Sequence, residues 1–298
     1  MLRALPALLL VAALVVACGT SKTQPPAQSA PGARVSVTAD WGVTSIANGR
    51  GNVGTVIAAT GGVARLTTGY GGRYVTAIDG QAGDGTRDWI FWINGIESPV
   101  GGADVEVAAG DRVWWDLHRW PGRVHVPAVV ANWPLPLTRG IAGPHKTLSA
   151  DEPLASALRK AGADVSAPAA VEGARALVGA NDELRQRDPL WRRAVDDASA
   201  AGLTAWIDPN GQVQVWNATR GAAEAVSGAT AVIVATTDGF TAADPPVVII
   251  AGVSQNAAFS AAEDLIRDPT LVRQATAICL DADGQVVCRG GRGRVPRP

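Results

Sequence analysis

The sequence predicts an α+β protein: a small β-rich domain over 34–120, followed by an α/β domain with a mixed sheet over 121–298. Three observations carry that prediction. Short runs with period-two alternation, broken by glycine turns, fill the first stretch, as strands of a sheet do. In the second stretch, apolar strand runs alternate with amphipathic helical segments. Of the 298 residues, 47% are hydrophobic, and the formal net charge is −1, which suits a folded chain of two modest domains. The same balance leaves no basic excess and argues against nucleic acid as a partner.

Met1-Leu2-Arg3 precedes an apolar run over 4–17. The run is short for a membrane span, which needs about 20 residues. One positive charge, a short apolar region and small residues at its end describe a secretory signal peptide over 1–18. The closing Val15-Val16-Ala17-Cys18 resembles the lipobox of bacterial lipoproteins. That resemblance implies a Cys18 carrying palmitate-type chains, and a protein exported and anchored to the outer face of the cell membrane. Residues 19–33 are small, polar and rich in Pro and Ser, a composition that buries no core and serves as a tether.

Strands are expected at 34–40 and 74–78, a helix or strand at 53–59, and closing strands at 105–107 and 112–117 around Gly110-Asp111. Between them lies "RDWIFWINGIE", residues 87–97, in a protein only 5% aromatic. In a strand, Trp89, Phe91 and Ile93 point one way, and Ile90 and Trp92 the other. Both faces are therefore apolar, so one is core and the second is core, ligand surface or a domain contact. Trp89 and Phe91 are read as core. Six of the ten tryptophans (Trp41, Trp89, Trp92, Trp114, Trp115, Trp120) fall within this domain. Tyr70 sits in "GYGGRY", where glycines permit either an ordinary loop or close approach to a flat ligand.

The collinear set Gly69-Tyr70-Gly71, Tyr74-Val75-Thr76-Ala77-Ile78-Asp79-Gly80, Trp89-Ile90-Phe91-Trp92-Ile93-Asn94-Gly95, Gly101-Gly102-Ala103 and Gly110-Asp111-Arg112-Val113-Trp114-Trp115 resembles the transcobalamin C-terminal-like family, DUF4430. The resemblance spans under a third of the chain. It implies a domain that, in cobalamin carriers, packs over one face of the corrin ring. A corrinoid is thus the ligand it brings forward, with Tyr70, Tyr74, Trp92, Trp114 and Trp115 as candidate contacts. No cofactor is assigned. Residues 128–140, "AVVANWPLPLTRG", look like the segment after this domain in actinobacterial lipoproteins of the same family.

In the second domain, strands are expected at 124–130, 174–178, 204–207 and 213–216, the last two joined by the turn Asp208-Pro209-Asn210-Gly211. The continuous apolar runs 230–235 and 247–251 read as strands covered on both faces. Helices are expected at 151–161, at 189–201 with Gly202 closing it, and at 256–267. A hairpin carries Cys279 and Cys288. A two-residue turn at Asp283-Gly284 sets the cysteines opposite one another, close enough for a disulfide. A four-residue turn over 281–284 with a bulge slips the register by one and parts the thiols. In an exported protein the disulfide is the preferred reading.

The sequence holds no phosphate loop and no nucleophile elbow. Asp116 and His118 share a strand face, where they could bind a metal or relay a proton, but a solvated strand edge is the preferred account. His125 reads as a linker residue, and His118 or His145 as a remote candidate for cobalt ligation of a cobalamin. No catalytic set and no metal site are assigned. The function read from the sequence is a membrane-anchored extracytoplasmic binding or interaction lipoprotein. Its partners would be the membrane, through Cys18, and a small flat ligand or an envelope protein. The alternative is a cell-surface hydrolase built on the α/β domain, with Asp208, Asp238, Ser254 and Asn256 at predicted strand ends.

Overall fold

The computed structural model describes residues 32–123, 125–141, 143–145, 147–166 and 173–295. The signal peptide, Cys18 and the tether up to residue 31 lie outside the described residues. The first sheet has five strands in the order Thr44–Gly51, Ala33–Ala39, Arg112–Arg119, Arg87–Ile93, Ile96–Glu97. Ala33–Ala39 runs parallel to Arg112–Arg119, and the other neighbours are antiparallel. The 53–59 segment resolves as a helix, Val56–Gly61, because the Thr55 hydroxyl accepts from the Ala58 N–H at 3.1 Å and so satisfies one of its free donors. That helix and a small sheet of Leu66–Gly69, Tyr74–Ile78 and Gln81–Ala82 bury one apolar cluster with Trp89, Phe91, Ile93 and Trp115.

The other face of the same strands carries a second cluster. Trp92 stacks on Trp114 with ring centroids 4.8 Å apart, as their register opposite one another requires. Trp41, Val126, Val129, Trp216 and Ala218 complete it. Both faces of "WIFWI" are therefore buried, one by its own layer and one by the chain that follows. The Asn94-Gly95 turn fixes that contact. Asn94 donates to the Asp111 carboxylate at 3.0 Å and to the Gly140 carbonyl at 3.2 Å. Gly95 takes φ +89, and a Cβ there would lie 2.5 Å from Pro136, so only glycine fits.

A seven-stranded mixed sheet follows, in the order Leu148–Ala150, Ala174–Ala180, Pro246–Gly252, Ala229–Thr237, Ala277–Asp281, Val286–Arg289, Gly293–Arg294. The first three are parallel and the rest antiparallel. Alternate residues feed two cores: Val248 and Ile250 pack with the helix Gln255–Arg267, while Val247 and Ile249 pack with the helix Pro189–Asp196 and a three-stranded sheet. Burial on both sides explains the unbroken apolar runs. Helix Gln255–Arg267 begins where the Ser254 hydroxyl accepts from the Ala257 N–H. The chain from residue 31 onward forms one compact unit. None of the described helices is long and apolar enough to cross a membrane.

Two expectations need correction. The described residues 125–130 of the strand expected at 124–130 form no strand; Ala128 alone bridges to Ile96, because Pro127 lacks a donor and the segment serves as a connector between layers. The helix from Pro189 ends at Asp196, where Asp197 leaves the helical region and its carboxylate caps Ala200 instead. The strand Ala222–Ala225 and the helix Asn181–Arg187 lacked a readable signal, the helix because it is mostly solvated.

Cys279 and Cys288 form a disulfide and pair directly across the hairpin. The turn is the four-residue one: the Gly284 N–H donates to the Asp281 carbonyl, and Asp281 pairs with Gln285. A second irregularity, between Cys279 and Leu280, restores the register that the turn displaced. The thiols meet through two compensating shifts rather than through a two-residue turn.

Candidate functional site

The strand Ile96–Glu97 covers only one end of Arg87–Ile93. Beyond it the sheet edge is open, and a cleft of about 520 Å³ lies along it. Trp89, Phe91 and Trp115 contribute to its floor, and Trp120, Tyr74 and Tyr70 to its rim. The edge itself is partly closed to a further strand, since the Trp89 N–H is already held by the Asp88 carboxylate at 2.8 Å. The tryptophan rings of the floor are fixed by their indole N–H groups: Trp89 to the Gln81 carbonyl at 3.0 Å, and Trp115 to the Thr60 hydroxyl at 2.9 Å.

Tyr70 and Tyr74 are the exception to this burial, 83% and 54% exposed. Their rings meet edge to face, with centroids 5.7 Å apart. Gly71 and Gly72 between them take φ +71 and +91, which turns the chain sharply. An exposed aromatic pair beside an apolar floor suits contact with a flat, partly apolar molecule.

Arg87, Asp88 and Glu97 border the cleft. Arg87 is held by Asp84 at 2.8 Å, and that carboxyl sits well below the usual carboxylate range, chiefly through the Thr86 hydroxyl and then Arg87. Glu97 is 8% exposed. Burial pushes its carboxyl above the usual range, opposed by His125 at 3.4 Å and by the Val126 N–H at 3.1 Å. Glu97 has no counterpart in the sequence reading. The signal lay in the hairpin: two residues past Asn94-Gly95, it falls opposite Trp92 on a covered face.

Of the five aromatic residues named from sequence, Tyr70, Tyr74 and Trp115 converge on the cleft. Trp92 and Trp114 point the other way. They are 0% and 2% exposed, and their N–H groups are bound to the Val126 carbonyl and the Thr38 hydroxyl, so they serve packing between layers and take no part in the cleft. Asp116 and His118 are buried rather than a solvated edge. The Asp116 carboxylate accepts from the Thr38 hydroxyl, the Trp41 and Gly42 N–H groups and His118 Nδ1, which ties the first strand to the central one. His118 packs 3.9 Å from the Trp41 ring. Burial holds the His145 imidazole below its ordinary value, and its Nε2 donates to the Pro136 carbonyl.

The hydrolase candidates take separate structural roles. Asp208 accepts from the Asn210 and Gln212 N–H groups of its turn. Asp238 pairs with the buried Arg175, which also holds Asp188 at 2.9 Å. Ser254 caps its helix and lines, with Asn256, a pocket of about 280 Å³. Among the described residues, no three His, Cys, Asp or Glu side chains group as a metal site.

No curated protein matches the chain in sequence. A crystal structure from Ruminococcus gnavus, described as a "putative metal binding protein", is similar over 29% of this chain and 95% of its own, at 14% identity and a TM-score of 0.25. Residues 52–119 match the family described as a domain of unknown function, DUF4430, and every cleft residue named above except Trp120 lies within that stretch or, for His125 and Val126, against it.

Proposed function

We propose that this chain is an extracytoplasmic binding lipoprotein, anchored through an acylated Cys18, that presents the cleft of its β-rich domain to a flat ligand. The observation that carries the reading is the exposed edge-to-face pair of Tyr70 and Tyr74 on the rim of an aromatic-floored cleft. Elsewhere in that domain the large aromatics Trp41, Trp92 and Trp114 are buried, so two exposed tyrosines beside an open cleft need a reason. A corrinoid is the first ligand to test, on the transcobalamin-like resemblance of this stretch. The lipobox-like residues 15–18 and the polar tether support the anchor.

The test is titration of the full chain, held in nonionic detergent, with cobinamide, read by tryptophan fluorescence under inner-filter correction. Trp89, Trp115 and Trp120 adjoin the cleft and report on it. Saturable quenching is expected, weakened about tenfold in Tyr74→Ala and unchanged in Trp191→Ala, which lies in the other domain's core. A flat titration removes corrinoids as the ligand. Cys18→Ser is expected to move the protein from the membrane fraction to the soluble one; retention in the membrane would sink the lipid anchor.

A further inference from the structure

A second pocket, of about 380 Å³, shares no residue with the cleft. It opens between the first sheet and the segments 131–134 and 269–274. Arg50, Arg34 and Arg112 lie abreast on three neighbouring strands, Arg34 directly opposite both others. Like charges set opposite one another across a sheet repel and cost stability. Arg34 and Arg112 line the pocket, and Arg273 reaches it from the chain beyond the short helix Pro269–Val272. No carboxylate lines it. Among the described residues, none of these four guanidinium groups forms an ion pair or a hydrogen bond, whereas Arg87, Arg175, Arg187 and Arg220 all do.

The rest of the lining supplies further donors. Ser36 and Asn48 face it from the sheet. Asn132 is 7% exposed, and its side-chain N–H₂ is buried with no partner. A buried donor left unpaired costs free energy that a ligand oxygen would recover. Burial, Arg34 and Arg273 together push the Arg112 guanidinium below its ordinary value, so removing that strain favours an anion. A planar carboxylate engages one or two guanidinium forks. A tetrahedral oxyanion offers oxygens to three sides at once, which matches three arginines and an amide.

We propose that this pocket binds a phosphoryl-bearing ligand carrying at least two negative charges, held by Arg34, Arg112 and Arg273 with Asn132 completing the set. The phosphoryl group could come from a soluble compound or from a phospholipid headgroup, and the experiment separates the two.

Calorimetric titration of the full chain in nonionic detergent with sodium pyrophosphate tests the pocket, run at low salt and at about 0.15 M, where charges screen over ~8 Å. Saturable binding is expected, weaker at the higher salt, and reduced about tenfold in Arg112→Gln and in Arg273→Gln. Arg65→Gln, outside the pocket, should bind as the unaltered chain does. Because Arg273 lies outside the sheet, its variant keeps the test valid if Arg112→Gln perturbs folding. The second arm is flotation with vesicles of phosphatidylglycerol or of phosphatidylcholine, using Cys18→Ser so that no acyl chain contributes. Capture by phosphatidylglycerol alone, displaced by pyrophosphate, assigns the phosphoryl group to a headgroup. Pyrophosphate binding without capture assigns it to a soluble ligand. Absence of both, or binding in Arg112→Gln and Arg273→Gln as tight as in the unaltered chain, overturns the proposal.

Discussion

Glu97 shows how the environment of one residue can escape its local sequence. The Asn94-Gly95 hairpin carries its carboxylate under the connector at His125 and Val126. Its carboxyl is raised above the usual carboxylate range by burial. The folded state therefore holds this proton to a higher pH than the unfolded chain does. Its contribution favours folding at acid pH and is lost as the pH rises through the raised value. Glu97→Gln, which cannot ionise, should raise the melting temperature near about pH 7, with the gain shrinking toward about pH 4. Melting curves at the two pH values check this; a gain of equal size at both, or a loss near neutrality, would refute it. At the same scale Trp89 and Phe91 are core as their alternation led one to expect, whereas Trp92 and Trp114 face a second buried cluster. Nothing in one strand says which of its two apolar faces meets its own layer and which meets the chain beyond.

At the scale of elements, the periodic pattern placed Ala33–Ala39, Arg87–Ile93 and Arg112–Arg119 of the first sheet and the apolar central strands of the second to within a few residues, but not Thr44–Gly51. It failed where a short element lacked a buried face, as in Ala222–Ala225, or where proline broke an apparent strand at 124–130. The cysteine hairpin lies between these cases. Period-two alternation pairs the thiols under one turn and separates them under the other. The protein uses the separating turn and corrects it with a bulge, a device with no local sequence signature. The bridge closes a loop of sequence separation 9, within the second domain's core. Replacing both cysteines with alanine is expected to cost about 2–3 kcal/mol. Urea unfolding under non-reducing conditions measures it, and a loss below about 0.5 kcal/mol would mean that the hairpin is held by packing alone.

At the scale of the molecule, the five-stranded sheet is joined to the connector and to the three-stranded sheet that carries Trp216 by an aromatic cluster rather than by a bare linker. Trp92, Trp114 and Trp41 on the first side meet Val126, Val129 and Trp216 on the other. Arg292 reaches back to the Trp41 carbonyl at 2.7 Å. Arg123 lies 4.4 Å from the Trp216 ring centre, and burial lowers its guanidinium to about 10. Trp92→Ala is expected to cost about 3–5 kcal/mol, the range for emptying a buried aromatic site. If the cluster couples the sheets, near-ultraviolet and far-ultraviolet dichroism should give one coincident unfolding transition in the unaltered chain. Two separate transitions, with only the first shifted by Trp92→Ala, would show that the sheets unfold independently.

The sequence by itself determined the α+β class, the division into a β-rich part and a mixed-sheet part, and the apolar strands that build both cores. These follow from periodicity, because the backbone repeats of strand and helix impose themselves on which residues are apolar. Only the tertiary structure decided which aromatics stay in contact with solvent, which of two hairpin turns joins the cysteines, and which arginines stand together without a counter-charge. Those depend on pairing between strands distant in the chain: Arg34 meets Arg112 across 78 positions, and Trp92 meets Trp114 across 22. A local pattern carries no record of its partner, so the register of the assembled sheets alone could bring those groups together.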